Sequence, residues 1–118
     1  MCQKMVNKVF RFEYGATGTV VTHSSDVNGW INKMIVVMPA FATGTPTAVF
    51  TIVDPESITV YTSAALASGS TTILGDLIGS ADFGEVPIGN HPWKITCTLS
   101  GVAGGTGGTV LVAMYLKC

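Results

Sequence analysis

Pro92-Trp93-Lys94-Ile95-Thr96-Cys97-Thr98-Leu99-Ser100 alternates apolar and polar residues without a break. Successive side chains leave a strand on opposite sides, so a period of two marks an extended segment with one face on a core. Trp93, Ile95, Cys97 and Leu99 point inward, and Lys94, Thr96 and Thr98 point to solvent. Downstream, Gly101-Val102-Ala103-Gly104-Gly105-Thr106-Gly107-Gly108 is a glycine-rich hairpin connection, either solvent-exposed or packed close to another backbone. Thr109 to Lys117 follows as a last strand, apolar on both faces.

The same period runs upstream. In Lys8-Val9-Phe10-Arg11-Phe12-Glu13-Tyr14 the aromatics share one face, with Arg11 and Glu13 on the other. Gly15 to Gly18 is a turn, Thr19 to His23 an extended β-branched run, and Ser24 to Gly29 a polar loop ending in the tight-turn pair Asn28-Gly29. Trp30 to Met38, closed by Pro39, is apolar on both faces, the pattern of a central strand covered on both sides. Thr47 to Val53 and Ile58 to Thr62 flank Asp54-Pro55-Glu56-Ser57, a hairpin whose proline suits a type I turn. Ala64 to Ala67 leans towards one helical turn. Thr71 to Leu74 is a weak strand, followed up to Glu85 by a long loop with an edge strand.

That gives about eight short strands and no helix long enough to cross between parallel strands. The fold expected is all-β, a single antiparallel β-sandwich over residues 1–118, jelly-roll or immunoglobulin-like, without linker or internal repeat.

Composition narrows the function. Hydrophobic residues are 47% of the chain and charged ones 11%, against about 25% charged in an ordinary soluble domain. Part of the surface must therefore be apolar, and a contiguous apolar patch marks a contact with another molecule. Net charge is −1, and the densest cations, Lys4, Lys8 and Arg11, are spread through an apolar segment, so no nucleic-acid footprint is expected. The longest apolar run, Met34 to Ala42, falls far short of the ~20 residues of a membrane helix, and the N-terminus does not read as a signal peptide. Cys2, Cys97 and Cys118 suit neither a disulfide framework nor a zinc site, so free thiols are expected, with Cys97 buried.

No grouping assembles a catalytic or cofactor site. His23-Ser24-Ser25-Asp26 has the residue types of a hydrolase triad, but such triads draw on distant segments, and the only remote base is His91. Asp54 with Glu56 belongs to the tight hairpin, where Asp54 caps its own backbone. Asp76, Asp82 and Glu85 are too spread for a calcium loop, and the glycine-rich loop lacks the lysine and helix of a phosphate loop. Trp30, Trp93, Phe83, Tyr61 and Tyr115 could stack on sugars, yet most fall on periodic strand faces. Met1, Met5 and Val6 are candidate interface residues. Met1 to Lys8 either forms an arm on a neighbouring subunit or begins the first strand of its own sandwich.

The closing hairpin, Trp93 to Leu116, resembles the last hairpin of small tailed-bacteriophage virion proteins, and Phe10 to Gly18 is similar to their opening. The charge-poor, Thr-, Val-, Ala- and Gly-rich style matches over most of the chain. The resemblance implies a β-sandwich that decorates or cements a capsid, or forms a collar or fibre piece. It also implies a symmetric homo-oligomer, a trimer being favoured, partnered by major capsid or other virion proteins and located in the virion after synthesis in the host cytoplasm. A carbohydrate-binding or host-adhesion module, using an aromatic platform, is the competing expectation.

Overall fold

The computed structural model describes residues 5–41, 46–74, 86–90, 92–102, 104–105 and 107–117. They form nine strands in two antiparallel sheets: β1 (Met5–Tyr14), β2 (Val20–Ser24), β3 (Gly29–Val37), β4 (Ala48–Val53), β5 (Thr59–Thr62), β6 (Thr71–Leu74), β7 (Val86–Ile88), β8 (Lys94–Leu99) and β9 (Gly108–Lys117). One sheet has the order β1-β9-β3-β6, with β7 also pairing β3; the other has the order β2-β8-β4-β5.

The pairings are nested. β4 and β5 form the innermost hairpin, β3 pairs β6 and β7 around it, then β2 pairs β8, and β1 pairs β9 outermost. The chain is thus one long antiparallel ribbon, rolled until β9 meets β3 and β8 meets β4. That is a jelly roll, and it decides between the two sandwich topologies open from the sequence. β6 and β7 lie on opposite halves of β3, Met34–Val37 and Gly29–Ile31, so they share one strand position of an eight-position roll.

The alternating residues fill the space between the sheets. Phe10, Phe12 and Tyr14 of β1 and Val110, Val112, Met114 and Leu116 of β9 are buried. They face Ala48, Phe50 and Ile52 of β4 and Ile95, Cys97 and Leu99 of β8. Phe12 and Phe50 meet edge-on across the layers at 5.5 Å, in the T-shaped arrangement favoured by ring quadrupoles. The Tyr14 hydroxyl donates to the Cys97 carbonyl at 2.5 Å, tying β1 to β8 inside the core. Burial, with the neighbouring Cys97 thiol as a lesser cause, pushes the Tyr14 phenol far up; burial also lifts the Cys97 thiol from 9.0 to about 11.

Two expectations are corrected. β3 is central in its sheet but covered on one side only: Met34 and Val36 are buried, while Trp30 and Val37 are exposed. A bulge between Ile31 and Lys33 shifts the parity, so the inward residue before it is Ile31 and those after it have even numbers. Ala64 to Ala67 forms no helical turn, because Leu66 exchanges two backbone hydrogen bonds with Ala48, at 3.0 and 2.8 Å. Over Met5 to Lys8 the backbone opens β1 and pairs Lys117 to Met114 of the same chain; Met1 to Lys4, the rest of the segment weighed as an arm, lie outside the described residues.

The glycine-rich connection takes the second of its two readings. Gly104, Gly105 and Gly107 all have positive φ, and Gly104 donates to the Ala16 carbonyl at 2.9 Å. A Cβ on Gly107 would collide with the Tyr14 carbonyl oxygen, so only glycine lets the loop close against the end of β1. The Asp54 carboxylate accepts from the amides of Glu56 and Ile58, each at 2.9 Å, as its position in the turn requires.

Candidate functional site: the outer face of the five-stranded sheet

In β1 and β9 the inward residues have even numbers, so the odd ones build the outer face. Register then fixes which of them are neighbours. Val9 lies opposite Ala113, Ala113 opposite Ile35, and Ile35 opposite Ile73. One apolar row therefore crosses β1, β9, β3 and β6. Val9 and Ile73, at its two ends, are 49% and 50% exposed. In the next row Leu111 and Val37 continue the apolar surface between Arg11 and Thr71. On the other side Tyr115 pairs Lys33, whose ammonium lies 5.3 Å from the centre of the Tyr115 ring. That cation–π contact leaves the ring's apolar body on the surface beneath the charge. Trp30, 49% exposed, stands further along β3 opposite Lys117.

The outer face of the other sheet is built from different residues. Thr22 pairs Thr96, Thr96 pairs Thr51, and Thr51 pairs Thr62, a row of four threonines across the whole sheet. The Thr22 and Thr96 hydroxyls lie 3.0 Å apart, within hydrogen-bond distance. Lys94 and Thr98 point to solvent beside them.

Between the two sheets, along the edges of β1 and β2, runs a groove of about 520 Å³ lined by Lys8, Arg11, Glu13, His23 and Asp26 among others. His23 Nε2 donates to the Arg11 carbonyl at 2.5 Å, since a carbonyl can only accept. Its ring packs edge-on against Phe12 at 4.7 Å. Lys8 and Asp26 form an ion pair at 2.9 Å. Ser25 is buried, with its hydroxyl donating to the Val27 carbonyl at 3.0 Å. The triad-like residues thus fasten β2 and its following loop to β1 rather than lining up nucleophile and base.

Of the interface residues singled out from the sequence, Met1 lies outside the described residues; Met5 and Val6 open β1 opposite Lys117 and Leu116. His91, Phe83, Asp76, Asp82 and Glu85 also lie outside them. Among the described residues no group of three His, Cys, Asp or Glu side chains could hold a metal ion, and no helix is long and apolar enough to cross a membrane. Trp93 and Tyr61 pack partly buried against the core. The apolar row was missed because each of its members looks ordinary in its own segment. Its only signal is that Trp30 to Met38 and Thr109 to Lys117 are apolar on both faces.

No protein-family model matches the chain, and no curated protein matches its sequence. Among solved structures it is similar to that of infectious bursal disease virus, Gt strain, with 13% identity and a TM-score of 0.36. That likeness covers 98% of this chain and 32% of the viral chain, so the chain spans about a third of the length of that neighbour.

Proposed function

We propose that the chain is a structural virion protein of the head decoration or cement kind, which works by packing against shell subunits and copies of itself. The observation that carries this reading is the apolar row Val9–Ala113–Ile35–Ile73 across the outer face of one sheet. An ordinary jelly-roll surface needs no such row, and burying it contributes about 25 cal/mol per Å² of apolar area. Spread over many copies, that contribution raises the barrier to separating the subunits beneath. The small share of charged residues supports the reading, as does the resemblance of the two terminal hairpins to tailed-phage virion proteins. The mechanism is one of added contact area. It asks no chemistry of the chain.

The test is co-expression with the products of the reading frames that flank its gene, followed by gradient sedimentation. The chain is expected to travel with assembled shells and to raise the temperature at which they fall apart. If it stays at the top of the gradient with every such product, the virion reading fails.

Trp30 gives the sugar-binding alternative its one specific support, because an indole 49% exposed on a strand face can stack on a sugar ring. A glycan array separates the readings: a signal abolished by Trp30→Ala, with no shell binding, replaces the first by the second.

A further inference from the structure

We infer that the apolar outer face of the five-stranded sheet is covered by the same face of a second copy, giving a two-fold pair packed sheet on sheet. This deepens the structural-protein reading and rests on it only in that the chain works by packing. Three observations select a second copy over another occupant.

The first is area. Four strand positions about 4.8 Å apart and ten residues of β9 at about 3.3 Å each give the face a flat footprint of roughly 600 Å². Two such faces bury on the order of 1,200 Å² together, the lower bound for a specific interface. One sheet face per copy is therefore enough, and no further segment is needed.

The second is charge. The face carries Arg11 and Glu13 side by side on β1, and its remaining described cation, Lys33, is held over Tyr115. The whole chain has a net charge of −1, so two copies meet almost without repulsion. Low net charge at working pH favours self-association.

The third is the chemistry of the opposite faces. A chain with Val9, Val37 and Ile73 exposed must stay in solution until it reaches its place of use. The one partner always present with it, at its own concentration, is another copy. Pairing hides both apolar faces and turns the threonine rows of both copies outward. The pair then presents the threonine rows, with Val20 beside Thr98, on both of its outer sides. An isologous contact of this kind also closes on itself, so it does not run on into fibres.

The test is sedimentation equilibrium of the full chain and three variants from one to one hundred micromolar. Wild type is expected at twice 12.3 kDa. Ile35→Asp, which puts an unpaired carboxylate at the centre of the buried row, should weaken pairing by on the order of a hundredfold or more. Val9→Lys with Ile73→Lys acts at the exposed ends of the row, where folding is least at risk, and should also yield monomer. Thr98→Asp on the other sheet should leave the pair intact. A monomeric wild type overturns the inference. So does a mass of three chains, which requires a contact without two-fold symmetry, or association that survives both apolar-face variants while circular dichroism shows them folded. If wild type is monomeric and the apolar-face variants lose shell binding instead, the face belongs to a shell subunit and the pair is refuted. If pairing behaves as expected but the chain travels with no shell, the virion reading fails and the pair stands.

Discussion

The middle rows of the two outer faces have the same backbone geometry and opposite chemistry. On one sheet the middle row reads valine, alanine, isoleucine, isoleucine; on the other it reads threonine four times. Valine and threonine have nearly the same shape and the same β-branched stiffness, so both rows satisfy a pleated strand equally well. Strand propensity therefore explains neither difference. What separates the rows is hydration: a threonine hydroxyl keeps its water or a neighbour's hydroxyl, and an isoleucine on the surface leaves apolar area to be covered by something else. A row that carries neither charge nor hydroxyl across four strands leaves apolar area for another surface to cover.

That contrast holds only if stability comes from the shared interior and not from either outer surface. The largest effect expected is on Phe50, fully buried between the sheets and edge-on to Phe12. Phe50→Ala should cost about 3–5 kcal/mol, while Thr51→Ala, one residue on and facing out, should stay below about 1 kcal/mol. Urea unfolding of both variants measures the difference; equal losses would mean that the outer threonine row is structural.

Alkaline pH reaches the interior without mutation. Cys97 and Tyr14 both have folded pKa values raised by burial, so the native state holds their protons more tightly than the unfolded chain does. Their contribution is fully present below pH 9 and is lost as pH rises, at up to about 1.4 kcal/mol per unit for each group. Between pH 9 and 11 the Cys97 thiol alone should remove about 2–3 kcal/mol, and Cys97→Ala should flatten that limb. Unfolding midpoints at pH 8, 9.5 and 11 give the slope. A flat profile in wild type would put water at Cys97. The same burial predicts that Cys97 reacts slowly with thiol reagents.

Gly107→Ala is expected to cost about 1–3 kcal/mol, because its positive φ and the Tyr14 carbonyl both exclude a Cβ. Gly101→Ala, with open space around it, should be close to neutral in the same melting experiment. The smallest effect is on the threonine row itself. Thr22→Val removes the hydroxyl contact with Thr96 and should change stability by less than about 1 kcal/mol, while adding apolar area to the hydrophilic face. If that single change drives association of the kind expected for the other sheet, the contrast between the faces is a matter of degree.

Much of the fold was legible because it follows from local rules. Phe10, Phe12 and Tyr14 announce their inward face by alternation alone, as do Ile95, Cys97 and Leu99. Asp54-Pro55-Glu56-Ser57 announces its turn through groups within four residues of each other. β3 was harder. Its run is apolar on both faces, which a local reading takes for cover on both sides, and nothing in Ile31-Asn32-Lys33 shows that a bulge reverses the parity there. Leu66 was misread for a similar reason: a short alanine-rich piece favours a helical turn in isolation, and its backbone bridge to Ala48 outweighs that preference.

By itself, then, the sequence determined most of the strands, though not β7, the interior side of most of them, the main hairpin turn and the scarcity of charge. These depend on the period of two and on composition, which act over a few residues or over none in particular. Only the tertiary structure decided that the ribbon rolls with β9 against β3 and β8 against β4, and hence that Val9, Ala113, Ile35 and Ile73 lie side by side. Each of those residues comes from a different strand, and their adjacency depends on register. A slip of one residue in any of these pairings would turn that strand's apolar set to the opposite face. Register is fixed by burying the whole interior at once, a condition that no single segment contains.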